Sequence, residues 1–303
     1  MVTAGFTSTT RTEALLAVTT IALLPLCLLK NINVLTPFSI AGLVGILFTS
    51  VAMGIRYFDG SYDVASSGKF VNDLPENLQP IFGTVGAMGA FSSKVLILMC
   101  MLFEAFIAHY NAPRFYMELK DNTITRFGYV TASSFLLSSF FYILIASFGF
   151  LTFGSNSNGY ILNNYSTNDR LATMSRIAIF ISVVFTYPVV FIGFRDGVFD
   201  ALTVSHKDRS SKIVNLISIL LLFCITLLAS FISNLGKVNA IGGGSLGTVI
   251  VFVFPTLMFA KMVEKLGSQA SYLLCLELNF AFILMCMGVL MGFIGVWNAM
   301  ILP

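Results

Sequence analysis

The chain has 303 residues, 57% of them apolar and only 10% charged, with a net charge of +3. A soluble domain carries about a quarter charged residues, so a soluble globular fold is excluded in favour of a polytopic α-helical membrane protein. So small a net charge leaves no electrostatic footprint for nucleic acid.

Eight candidate spans follow one another, at approximately 14–29, 36–56, 91–109, 128–151, 173–194, 213–233, 238–260 and 270–297. Most match the ~20 residues that a bilayer core demands. The first is short enough to be a signal peptide. The residues before it carry both Arg11 and Glu13, however, and no cleavage site with a soluble remainder follows, so a span is the better reading. The stretch 57–90 is the longest polar segment, holding Asp59, Asp63, Asp73, Pro75, Glu76 and Pro80. It reads as a solvated external connector, with a lid as the alternative.

The third span carries Glu104 and then His109, the first of only two histidines. Charged groups at membrane depth are costly and face a protein interior or an aqueous path. Glu104 suits a proton carrier, or a structural partner of Asn279 or Glu277. His109 suits a proton relay or an interfacial cap. In the fifth span, Ser182 and Thr186 are four residues apart and share one helix face. Their hydroxyls can help hold a desolvated cation or a substrate, or bond back to their own helix. Pro188 frees the carbonyl of Val184 as a further ligand.

Gly243-Gly244-Ser245-Leu246-Gly247 fits the G-x-S-x-G of a hydrolase elbow, but neither histidine lies after Ser245. Close helix approach through small residues is the better account, and no enzyme is expected. The five cysteines, Cys27, Cys100, Cys224, Cys275 and Cys286, lie inside apolar runs without CxxC or His/Cys spacing. They read as small hydrophobes, so neither a metal site, a disulfide frame nor a cofactor is expected.

An even number of spans puts both termini on one side. One set of loops holds ten cations, Lys30, Arg114, Lys120, Arg126, Arg195, Lys207, Arg209, Lys212, Lys261 and Lys265, against seven in the other. The richer set is assigned to the cytoplasm and both termini to the outside or a lumen. The sequon Asn164-Tyr165-Ser166 falls in the 152–172 loop, on the outer side by this count, so Asn164 is a candidate glycosylation site.

Four stretches together resemble the amino acid/auxin permease family of secondary amino-acid transporters. Leu24-Pro25-Leu26-Cys27-Leu28-Leu29-Lys30-Asn31, with Leu35 and Pro37-Phe38-Ser39, looks like the family's Pro-Leu…Lys-Asn…Ser junction. Phe106 to Leu119, with His109, Tyr116, Glu118 and Leu119, is similar to its Phe-x-Cys/Ala-His…Tyr-x-Glu-Leu segment, although Ala108 stands where many relatives have Cys. Arg176, Thr186-Tyr187-Pro188-Val189 and Arg195 look like its Arg…Thr-Tyr-Pro-Leu…Arg helix. Leu235-Gly236 to Phe254-Pro255 resembles its Leu-Gly…Phe-x-x-Pro span.

The resemblance covers nearly the whole chain as one transmembrane transporter domain, residues 1–303. It implies a LeuT-like inverted-repeat bundle, here amino-terminally incomplete, whose eight spans correspond to the family's fourth to eleventh. The glycine-rich first span, which supplies much of the family's substrate and ion site, has no counterpart. In such folds binding lies at the midplane, where helices unwind. By resemblance, Phe103, Glu104 and Ala105 adjoin the unwound part of a helix and face substrate, while Thr186 matches a hydroxyl that helps hold sodium in sodium-coupled members. The expectation is a symporter of amino acids, neutral ones favoured, coupled to H⁺ or Na⁺ by alternating access in a plasma, vacuolar or lysosomal membrane. Glu104, His109, Ser182 and Thr186 are its candidate coupling residues. The alternative is a non-transporting fragment or amino-acid sensor acting through a partner.

Overall fold

The computed structural model describes residues 8–29, 36–82, 94–205, 209–232 and 234–301. Lys30, Asn31 and Leu35 of the first motif, and Lys207 of the basic loop, lie outside them. Helices in chain order are α1 (Ser8–Val18), a π-helical turn Thr19–Leu23, α2 (Leu24–Cys27), α3 (Thr36–Phe58), α4 (Lys94–Ala105), α5 (Ala112–Glu118) and α6 (Ile124–Phe153). There follow α7 (Arg170–Ala201), α8 (Ser211–Phe231), α9 (Leu235–Gly242), π-helical segments Gly243–Gly247 and Val249–Val253, α10 (Phe254–Leu266) and α11 (Tyr272–Ile301). Among the described residues there is no strand, only an isolated bridge between Ile81 and Gly154.

The protein is therefore an all-α polytopic membrane protein. Seven helical segments are long and apolar enough to cross a bilayer. They correspond to the second to eighth expected spans. The first expected span is instead a helix in three pieces, α1, a π turn and α2, and is not one of the seven. The expected 91–109 span also differs. The apolar segment runs on from Val95 to Glu118, but its helix is interrupted on the way.

The chain falls into two compact units, residues 1–83 with 137–233, and residues 84–136 with 234–303. In the first unit α3 packs along α7. Small residues permit the approach: a Cβ on Gly42 would come within 2.8 Å of Ser182 Oγ, and one on Gly45 within 3.2 Å of the Ala178 carbonyl. Arg195 lies buried at the other end of this unit. Its Nη1 donates to the Cys27 carbonyl at 3.3 Å and to Ser218 Oγ at 3.1 Å. One guanidinium thereby ties α2, α7 and α8 together, beside an apolar cluster of Cys27, Phe191 and Leu222.

The polar stretch 59–82 is not a plain connector. It folds through two short 3₁₀ turns, Val71–Asp73 and Glu76–Leu78. Tyr62, Phe70 and Leu74 enter a buried cluster with Met53, Phe153, Leu162, Tyr165 and Ala172. Burying a large apolar side chain stabilises by about 1.5–3 kcal/mol, so three such side chains hold the loop down firmly. The Ile81 N–H donates to the Phe153 carbonyl at 3.2 Å, and the Ser155 N–H to the Ile81 carbonyl at 2.9 Å. Gly154 sits there at φ +60°, where a Cβ would collide with the Ile81 carbonyl.

In the second unit α4 packs against α9, the segment Gly243–Gly247 and α11. Glycine makes this possible as well. A Cβ on Gly243 would overlap the Cys100 carbonyl, and one on Gly292 would come within 2.5 Å of the Gly244 carbonyl and Thr248 Oγ1. The Gly243–Gly247 run is thus a close-packing device within a π-helical stretch. Ser245 Oγ donates to the Ile241 carbonyl at 2.6 Å, back into its own helix, and no strand-to-helix elbow is formed.

Candidate functional site

In the second unit the apolar segment Val95–Glu118 contains a break in its helix. α4 ends at Ala105, Phe106 to Ala108 are non-helical, a 3₁₀ turn covers His109–Asn111, and α5 resumes at Ala112 with Pro113 in its first turn. Ala108 has φ −137° and ψ −4°, outside helical geometry, so the regular i→i−4 ladder is interrupted. The Phe106 N–H still reaches the Leu102 carbonyl, the Ile107 N–H reaches only Glu104, and the Asn111 N–H only Ala108. Inside a bilayer, irregular backbone is tolerated only where it is buried in protein or lines a cavity.

Glu104 is one residue before the end of α4. A Cβ on Gly242 would stand 3.3 Å from Glu104 Oε2, so the absence of a side chain at Gly242 leaves room for the carboxylate. Phe103 turns the other way: it is buried and its ring meets Phe252 edge-on at 5.0 Å. Ala105 and Glu104 are exposed at protein level, as is His109 on the far side of the break. Glu277 and Asn279, the partners weighed for Glu104, are exposed on α11 and, among the described residues, make no hydrogen bond to it.

The helix wall opposite this break is itself irregular. Two π-helical segments, Gly243–Gly247 and Val249–Val253, follow α9 without a gap in the helix. Thr248 lies between them, buried, with Oγ1 donating to the Gly243 carbonyl at 3.3 Å. π-bulges concentrate at functional sites because they displace one turn of backbone from its usual partners. The sequence reading valued this span for its glycines and missed its winding. Its only visible signal was the density of glycine at Gly242 to Gly244.

Ser182 and Thr186 belong to the first unit. They lie one turn apart on α7, Ser182 half-buried against Gly42 and Thr186 exposed. α7 passes Pro188 without ending. Glu104 and His109 thus belong to one unit, and Ser182 and Thr186 to the other.

Asn164, the acceptor of the sequon, takes part in the packing of its loop. It is fully buried. Its Nδ2 donates to the Asn156 carbonyl at 2.9 Å, and its Oδ1 accepts from the Asn158 N–H at 2.8 Å. These bonds tie Asn164 into the 154–169 turn.

The loop end of the first unit holds a constellation the sequence reading did not find. Asp169 is wholly buried and accepts from Arg56 Nε at 2.9 Å, Arg56 Nη2 at 2.8 Å, Tyr62 Oη at 3.0 Å and the N–H groups of Leu171 and Ala172. It caps α7 and pairs with Arg56 at once. Burial by itself would raise this carboxyl, but the bonds and charge of Arg56 and the Tyr62 hydroxyl outweigh it and hold it below the usual carboxylate range. Burial pushes the Tyr62 phenol well up.

Comparison with known proteins agrees with this architecture. A family described as transmembrane amino acid transporter protein matches residues 2–301. A Danio rerio protein called "Sodium-coupled neutral amino acid symporter 2" is 29% identical over 178 residues, covering 58% of this chain and 35% of its own. A Bos taurus protein called "Putative sodium-coupled neutral amino acid transporter 11" is 26% identical over 189 residues, covering 62% of this chain and 40% of its own. Its Homo sapiens counterpart is likewise 26% identical over 189 residues, with 46% of its length covered. The chain thus spans less than half the length of these relatives. No solved structure matches. With the match running almost from end to end, the chain belongs to the transmembrane amino acid transporter protein family.

Proposed function

We propose that the protein is a secondary carrier of neutral amino acids, coupled to Na⁺ or H⁺ by alternating access. The observation that carries this reading is the interruption of α4 at residues 106–108, facing the π-helical, glycine-rich stretch after α9 within the same unit. Broken helices in carriers offer free backbone groups and helix ends to the charged ends of a substrate. In this reading Glu104 and Ala105 border the substrate and Phe103 forms the wall behind them. Glu104 and His109 serve a proton path, and Ser182 and Thr186 supply oxygens to sodium as co-substrate. The names of the relatives, which are sodium-coupled neutral amino acid carriers, support sodium over protons. The protein is integral to a membrane, and the reading extends to a plasma, vacuolar or lysosomal one.

The test is uptake of radiolabelled alanine or glutamine into proteoliposomes, with sodium and pH gradients imposed separately. Uptake driven by sodium should need about tenfold more sodium after Thr186→Ala, the equivalent of one lost ligand of about 1.4 kcal/mol. Uptake driven by the pH gradient should lose its pH dependence between pH 5 and 8 after Glu104→Gln. No uptake under either gradient overturns the reading.

A further inference from the structure

At the loop end of the first unit lies an open cleft of about 460 Å³, lined by Arg56, Lys69, Phe70, Asp73, Asn168 and Arg170. Its size suits a small metabolite. Arg56 is already committed: Nε and Nη2 go to Asp169 and Nη1 to Asp59 at 2.7 Å. Lys69 and Arg170 are exposed and, among the described residues, enter no ion pair. Lys69 Nζ stands 5.1 Å from the centre of the Phe70 ring, and the Arg56 guanidinium 5.3 Å from it. That ring is itself fixed by stacking on buried Tyr62 at 5.5 Å. The cation–π contact favours holding the Lys69 ammonium at the cleft wall rather than loose in solvent.

Opposite in charge is Asp73. Both of its bonds, from Ser166 Oγ at 3.2 Å and Asn168 Nδ2 at 3.1 Å, fall on Oδ2. Oδ1 is left to a ligand. With Arg56 neutralised by two aspartates, the cleft offers two uncommitted cations and one half-used carboxylate. A simple anion would use the cations but meet Asp73, and a simple cation would meet Lys69 and Arg170. A molecule carrying a carboxylate and an ammonium satisfies both.

We infer that this cleft is a second amino-acid site, which takes the α-carboxylate between Lys69 and Arg170 and the α-ammonium on Asp73 Oδ1. It gathers zwitterionic substrate on the loops of the first unit, whereas the broken helix belongs to the second. The inference rests on the reading of the protein as an amino-acid carrier, yet it is tested by binding rather than by transport.

The experiment is equilibrium binding of radiolabelled alanine, glutamine and leucine to the purified protein in nanodiscs, compared with Lys69→Gln, Arg170→Gln and the double variant. Both side chains are exposed and hydrogen-bond nothing among the described residues, so unchanged melting is expected. The double variant should bind one equivalent less of at least one of these amino acids. Propionate, which lacks the ammonium, and alaninamide, which lacks the carboxylate, should compete at least tenfold more weakly than alanine. Equal stoichiometry in wild type and double variant, or propionate competing as well as alanine, overturns the site, and so does absence of binding by all three amino acids. Loss of one equivalent in a protein that takes up nothing leaves the site standing and sinks only the carrier reading.

Discussion

Asp169 illustrates how one residue fixes a whole loop region. Its carboxylate caps α7, pairs with Arg56 on α3 and accepts from Tyr62 in the 59–82 loop. Tyr62 Oη in turn accepts the Ser166 N–H at 3.0 Å. Removing one partner of a buried ion pair leaves an uncompensated charge and costs about 3–5 kcal/mol. Asp169→Asn retains the cap and strands Arg56 with Asp59 alone, so a loss of about 3 kcal/mol, at the low end of that range, is expected, read as a lower melting temperature in detergent. The pH sign follows from the depressed carboxyl. Stability from Asp169 is fully present above the ordinary aspartate value of about 3.9, and is lost as pH falls through the lower folded value. Wild type should therefore lose a component of stability below about pH 4 that the Asn variant does not have to lose. A variant that melts with the wild type across this range removes the pair from the account of the fold.

At the scale of elements, close approach of backbones sets the second unit. Gly243 lies so near Cys100 that any Cβ would overlap its carbonyl. Gly243→Ala must push α4 away from the π-helical stretch, and overpacking of this kind costs about 1–3 kcal/mol. Gly197, inside α7, has nothing within contact distance of a Cβ, so Gly197→Ala serves as the control and should melt at or slightly above wild type. Equal melting of both variants would refute the close contact at Gly243. Hydrophobic run length alone was enough to find seven of the spans, because apolar side chains must cover a helix on all sides in lipid. It could not find the break in α4. Phe106 to Ala108 contain neither glycine nor proline, and only the family resemblance pointed there. The π winding after α9 was equally hidden, since a register shift of one residue leaves the apolar content unchanged. The packing of the 59–82 loop is hidden for a different reason. Its acidic residues and prolines dominate the composition, while three side chains, Tyr62, Phe70 and Leu74, do the burying.

At the scale of the whole molecule, the charge pattern makes a claim that the helices themselves do not. The positive-inside rule sets ten cations in one set of loops against seven in the other. The bias is small, but its structural consequence is sharp. On that count the folded loops at the Asp169 end, the cleft they line and the first turn of α7 are expected to face outside or a lumen, and the turn after α7 the cytoplasm. Ala65 in the 59–82 loop and Ser205 beyond α7 are both exposed, which makes them suitable reporters. Ala65→Cys should react with a membrane-impermeant maleimide added to intact cells, if the protein is at the plasma membrane, or added outside sealed, inverted organelle vesicles, whose lumenal face is turned outward. Ser205→Cys should react only when the reagent is given to the opposite face. Each signal is read above that of the unsubstituted chain, whose exposed cysteines Cys224, Cys275 and Cys286 lie in apolar helices. The reversed pattern would invert the protein in its membrane and put the proposed amino-acid cleft on the cytoplasmic side, turning a site that gathers incoming substrate into one that holds it after release.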